Sequence, residues 1–199
     1  MAILSKNELF DRLNNERENR IVVTPILDLS KQLGETGIDV RLGNQFIGFK
    51  TENIKSFDIK NNLNCEDLLK LQKEIVLPYG KSYILHPQNM VLGSTFEFIG
   101  MPSDVWGTIE GRSSWARIGL VIATANSIDP GFKGCITLEL SNLSNVPLEL
   151  YPGMRIAQLI CQSTTSNSHY SNRKYLYPIG PEFSKLAQDD DIKFFTSKI

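Results

Sequence analysis

Between Glu74 and Ile160 the chain never runs far without a turn signal. Ile75-Val76-Leu77, Tyr83-Ile84-Leu85, Met90 to Phe98 and Val105 to Ile109 are separated by Pro-Tyr-Gly, His-Pro-Gln-Asn and Gly-Met-Pro-Ser-Asp. Leu148 to Leu150 and Arg155 to Ile160 continue the series across Tyr-Pro-Gly. Short apolar segments at close spacing, punctuated by Gly and Pro, predict a set of short strands and an all-β sandwich or barrel. Pro147 has no N–H for a strand ladder, so the strand after it starts there or lies at an edge.

The flanks are simpler. Ser5 with Glu8 forms a capping box, and Leu9, Phe10 and Leu13 recur at helical spacing, which predicts an amphipathic helix from about Lys6 to Arg17 covering one end of a sheet. Ile21 to Val23 and Ile38 to Leu42 are further strand candidates, and Asp39 and Arg41 in the second are assigned structural ion-pair roles. Thr51 to Lys73 is a polar excursion with one helical turn in CEDLLKLQ and no chemical signal. Beyond Gln162 the polar run STTSNSHYSNRKY begins a flexible C-terminal arm. The expected division is therefore a β domain with its helix over 1–162 and an arm over 163–199 that closes over the site.

Composition narrows the function classes. A net charge of −1 lacks the basic excess of a nucleic-acid polymer binder, yet a nucleotide needs only a local group of cations. No apolar run approaches the ~20 residues of a membrane span, and MAILSKNELFDRL carries acids where a signal peptide would be apolar. Cys65, Cys135 and Cys161 stand far apart and suggest neither a disulfide framework nor a metal knuckle, so a reducing cytoplasm is the expected compartment.

The chemistry concentrates between Glu110 and Asn142. In Cys135-Ile136-Thr137-Leu138-Glu139-Leu140 a period of two places Ile136, Leu138 and Leu140 on one face and Cys135, Thr137 and Glu139 on the other. A carboxylate in mid-strand costs desolvation energy unless it is paired or used, which makes Glu139 a candidate for a raised pKa and proton transfer. Gly111-Arg112-Ser113-Ser114, with Arg117 beyond, offers backbone N–H groups, hydroxyls and guanidiniums to an anion. Alternatively these residues form a surface salt-bridge cluster, or Arg117 pairs with Glu139. Asp129 in SIDPGFKG is explained by turn capping alone. His86 and His169 stand apart and no cysteine pair exists, so the H-x-E with P-C-x-x-C signature of zinc deaminases is missing.

GRSSWARIGL, TANSIDPGFKGCITLELSN and PGMRIAQL resemble the dCTP deaminases, which share a superfamily with the trimeric dUTPases. IDVRLGNQF, LHPQNMVLGSTFEFIGMPSDVWGTIEGRSS and a KY-x5-P-x2-S ending stand in the family's order. The resemblance implies an all-β dUTPase-like fold, a distorted jelly-roll or barrel, with a homotrimer sharing its sites between subunits. It implies hydrolytic deamination of dCTP to dUTP and ammonia, with Glu139 as the acid/base, Mg²⁺ carried on the triphosphate, no zinc, and dTTP as a candidate feedback inhibitor. Arg112, Ser113 and Ser114 would contact phosphate, with Arg117 beside them. Ala125, Thr137, Leu138 and Gln158 would contact substrate, and Tyr170, Lys174 and Tyr175 would close over it. Asp129 would meet the deoxyribose or, as in dUTPases, position water at the α-phosphate. Two positions depart from the pattern. Pro178 falls where a phosphate-binding Gln commonly sits. Asn126 replaces the His of monofunctional members and the Gly of bifunctional ones, so dUTP is the expected product. The rival readings are a bifunctional enzyme giving dUMP and diphosphate, a dUTPase, which would end in a Gly-rich motif, and a non-catalytic nucleotide sensor.

Overall fold

The computed structural model describes residues 2–15, 19–50, 70–123, 127–168, 170, 174–175 and 177–190. Glu8 accepts both the Ser5 N–H and the Ser5 hydroxyl at 2.8 Å, so the capping box starts the helix Lys6–Asn14. The helix ends earlier than the predicted Arg17. Asn14 turns its amide back onto the Phe10 carbonyl, and Asn15 already has an extended backbone. Leu9 and Leu13 are buried, whereas Phe10, expected on the same apolar stripe, is 47% exposed. Arg12 fastens the helix to the body through a two-pronged bond to Asp104 at 2.6 and 3.2 Å.

Among the described residues the strands pair antiparallel in four sheets. The largest runs Gln72–Val76, Gln45–Phe49, Met90–Ser94, Thr137–Asn142 and Leu120–Ile122 in spatial order. A second holds Ser127–Ile128, Val105–Gly111, Arg155–Ser163 and Ile38–Arg41. Val22–Thr24, Phe98–Gly100 and Lys133–Gly134 form a third, and Leu148–Leu150 with Tyr83–Leu85 a fourth. Leu148–Leu150 begins directly after Pro147 and pairs on one side only, as the missing N–H requires. One apolar core joins the sheets, from Leu9 and Ile21 through Ile38, Phe46 and Leu85 to Leu140 and Leu159. The all-β class expected from the turn spacing is the class observed.

Boundaries among the strands also differ from expectation, and the strand read over Cys135 to Leu140 runs Thr137–Asn142. The excursion predicted over Thr51 to Lys73 falls on 51–69, outside the described residues, but Gln72 and Lys73 are already strand. Met90 to Phe98 is not one strand. It breaks at Thr95, whose hydroxyl donates to the Glu97 carbonyl and accepts the Ile136 N–H, and Phe98–Gly100 then joins another sheet. The crossing buries Glu97 completely. Its oxygens accept the Arg41 N–H at 2.8 Å and the Gln32 amide at 3.0 Å, and burial pushes its carboxyl above the usual range despite both bonds.

The chain returns to the largest sheet near its C-terminal end. The Cys135 N–H donates to the Pro178 carbonyl at 2.7 Å, and the Glu182 N–H donates to the Thr137 hydroxyl at 3.1 Å. Phe183 packs on Phe49 with ring centroids 5.4 Å apart. Gly134 permits this approach: at φ 152°, a Cβ there would lie 2.3 Å from the Pro178 ring. We refer to residues 177–190 as the strap.

Candidate active site

Thr137–Asn142 alternates half-buried with buried residues, as its period of two predicts. Leu138 and Leu140 enter the core, and Thr137 and Glu139 face the opposite way into a cavity of about 700 Å³. Its floor continues onto the neighbouring strand through Leu92, the register partner of Glu139. One side is the Asp129-Pro130-Gly131 turn, closed by the Phe132 N–H donating to the Asp129 carbonyl at 3.1 Å. Gly131 sits at φ 83°, which only glycine adopts readily. The opposite side is the strap, from Pro178 to Ser184.

Within the cavity the polar groups are arranged against aromatic surface. Tyr170 meets Phe132 edge to face, with centroids 5.9 Å apart and ring planes at 90°. Burial and then the Asp129 carboxylate raise the Tyr170 phenol above its ordinary pKa, with smaller contributions from Tyr175 and Glu182. Cys135 is raised too, first by burial and then by the charge of Glu97 behind it. Among the described residues the lining carries the carboxylates of Asp129, Glu139 and Glu182 but neither Lys nor Arg. Such a lining suits a base and sugar and repels a polyphosphate.

Five of the predicted residues thus come together: Asp129, Thr137, Glu139, Tyr170 and Tyr175. A second group assembles elsewhere, at the end of the four-stranded sheet. Arg112 precedes the single helical turn Ser113–Ala116, and Ser113, Ser114 and Arg117 are exposed there. Asp39 fixes Arg112, forming an ion pair with its Nε at 3.3 Å and accepting the Arg155 Nη1 at 3.0 Å. The structural ion-pair role expected of Asp39 therefore involves Arg112 and Arg155. Arg41 instead bonds the Gly153 carbonyl at 2.7 Å. Gln158 lies in register between Asp39 and Glu110, beside this group and away from the cavity. Arg117 makes no ion pair with Glu139 among the described residues, so that alternative does not hold within one chain.

Three other predictions fare differently. The Leu138 side chain is 1% exposed in the core, so it contributes no surface to the cavity. Lys174 pairs with Asp189 and also lies off the cavity lining. Ala125 and Asn126 lie outside the described residues. Sequence reasoning missed Glu182 and Phe183, because no local motif announces that a distant segment folds back on the sheet. No group of three or more His, Cys, Asp and Glu side chains that could hold a metal occurs among the described residues.

Comparison with known proteins gives a consistent outcome. A family described as dCTP deaminase-like matches residues 3–164. A protein of Methanosphaera stadtmanae named "dCTP deaminase, dUMP-forming" is 39% identical over 199 residues, covering 96% of this chain and 98% of that one. One of Halorubrum lacusprofundi, named "dCTP deaminase", is 38% identical over 195 residues, covering 95% of this chain and 93% of that one. Among solved structures, the 2'-deoxycytidine 5'-triphosphate deaminase of Agrobacterium tumefaciens superposes with a TM-score of 0.61 at 19% identity, over 81% of this chain and 48% of that one. This last likeness is one of fold.

Proposed function

Because the chain belongs to the dCTP deaminase-like family, we propose that it is an enzyme that hydrolyses the amino group from dCTP and then cleaves the resulting dUTP to dUMP and diphosphate. The observation that carries the deamination is Glu139, facing a 700 Å³ cavity from a strand position the core does not need. Its carboxylate takes a proton from water as the oxygen adds to C4 of the cytosine ring, and passes that proton to N3. It then transfers the second water proton to the departing amino group, so that ammonia leaves and the ring carries a C4 carbonyl. The cavity takes the base and sugar. Tyr170 and Phe132 pack the apolar wall beside Asp129.

The second hydrolysis is supported by two facts together. Asp129 lines the same cavity as Glu139, and the Methanosphaera relative carries dUMP formation in its name. This reading replaces the dUTP product expected from Asn126. Asp129 would orient water at the α-phosphate, a step whose geometry tolerates little misplacement.

The triphosphate needs cations, and the described lining of the cavity offers neither Lys nor Arg. Arg112, Ser113, Ser114 and Gln158 form a cationic and hydroxyl-rich group on another part of the same chain, so the proposal includes a homotrimer in which that group faces the Glu139 of a neighbouring copy. Mg²⁺ fits as a companion of the triphosphate, held through its phosphate oxygens, where it would offset their charge. The test is ammonia release from dCTP. Glu139→Gln keeps shape but not the titrating proton, and it is expected to lower turnover by at least about 10²–10⁴-fold while dCTP still binds. Turnover near that of the unaltered protein would remove Glu139 from the chemistry.

A further inference from the structure

We infer that Asp39 is a positioning residue for the triphosphate, fixing part of the Arg112 guanidinium so that its remaining N–H groups are held ready for a phosphate. The inference rests on the reading of Arg112 as a phosphate contact given above. Asp39 stands in the strand Ile38–Arg41, whose Ile38 and Val40 are buried in the core. Alternation turns the Asp39 side chain to the other face of the sheet, where it is still only 11% exposed. A carboxylate with so little access to water needs charged or hydrogen-bonding partners. It has two guanidiniums, with Arg112 Nε at 3.3 Å and Arg155 Nη1 at 3.0 Å.

Each arginine is tied a second time. Arg112 Nη1 donates to the Arg155 carbonyl at 3.2 Å, and Arg155 Nη1 donates also to the Lys31 carbonyl at 2.5 Å. The Arg155 carbonyl accepts the Trp115 indole N–H at 3.1 Å as well. One peptide group therefore pins both the residue that precedes the turn Ser113–Ala116 and a residue within it. Arg112 Nη2 enters no hydrogen bond or ion pair among the described residues. A guanidinium is planar and rigid, so fixing Nε and Nη1 fixes the direction of Nη2 too. A phosphate then meets a donor that has already lost its rotamer freedom, which lowers the entropy cost of binding. Two guanidiniums against one carboxylate leave the trio positively charged, so Asp39 orients Arg112 without cancelling its attraction for an anion.

Dissociation constants of dCTP test the inference in the Glu139→Gln protein, where the base is not expected to turn over. Adding Asp39→Asn keeps the size of the side chain but removes its charge, and is expected to weaken binding about 10-fold. Adding Arg112→Ala instead is expected to weaken it further. Both changes together should weaken it no more than Arg112→Ala alone, within about twofold, because Asp39 acts through Arg112. Where Asp39→Asn does not fold, Asp39→Glu, which displaces the charge by one methylene, completes the same cycle with the same expectation. With Glu139 restored, Asp39→Asn is expected to raise the KM for dCTP about 10-fold and to lower kcat by less. Additive losses in the cycle, an unchanged affinity in Asp39→Asn, or a kcat that falls as far as KM rises would overturn the inference and leave Asp39 a structural residue. Binding unaffected by Arg112→Ala would instead overturn the phosphate reading of Arg112, and this inference with it.

Discussion

Glu139 was legible in the sequence because a strand's alternation leaves a mid-strand carboxylate only two fates, and Leu138 and Leu140 already occupy the core face. Asp129 was ambiguous for a physical reason: an Asp-Pro-Gly turn accounts for it whether or not it faces a cavity. Its carboxylate does line the cavity, so Asp129→Asn is expected to stop the pathway after deamination, with dUTP accumulating and ammonia release retained within severalfold; chromatography of the nucleotides checks this. Glu97 gives a prediction of another kind. Burial raises its carboxyl above the ordinary value of 4.5, so the folded protein holds a proton that the unfolded chain has released. Its contribution to stability is full below that value and is lost as pH rises through the folded pKa. Thermal melts across this range should show the unaltered protein losing stability relative to Glu97→Leu as pH increases. A constant difference between the two would contradict a raised carboxyl.

At the scale of elements, turn punctuation located most of the longer strands, but not Gln45–Phe49, the short Ser127–Ile128 and Lys133–Gly134, or the exchange of sheets at Thr95 to Glu97. That exchange depends on Gln32, Arg41 and Ile136, none of them local to it. The strap was equally hidden, since its polar sequence resembles any solvated tail. Its seating relies on Gly134, where a Cβ would lie 2.3 Å from Pro178. Gly134→Ala is expected to weaken that seating by about 1–3 kcal/mol, as overpacking does. The result should be a raised KM for dCTP and faster proteolysis within the strap. An unchanged KM and cleavage rate would mean that the strap rests on the sheet without supporting the site.

At the scale of the whole molecule, the chain keeps its acids and its phosphate-binding candidates apart. Among the described residues, Asp129, Glu139 and Glu182 line a cavity without Lys or Arg, while Arg112 and its serines stand at the end of another sheet. The composite site proposed above, shared between copies, would reconcile the two. Ser113→Ala and Glu139→Gln, each inactive alone, should then regain partial activity when unfolded together and co-refolded. Activity recovered by neither mixing nor refolding would place both groups in separate functions. Chelation of zinc followed by excess Mg²⁺ should leave turnover intact, since His86 and His169 stand apart in sequence and no cysteine pair is present. The central claim is the conversion itself, and a time course with dCTP and Mg²⁺, resolving nucleotides by ion exchange while ammonia and diphosphate are assayed, tests it most directly. The account predicts dUMP, diphosphate and ammonia in equal amounts, with no lasting pool of dUTP. Accumulation of dUTP would confine the enzyme to the first step, and dCTP persisting unchanged beside correctly folded protein would contradict the account.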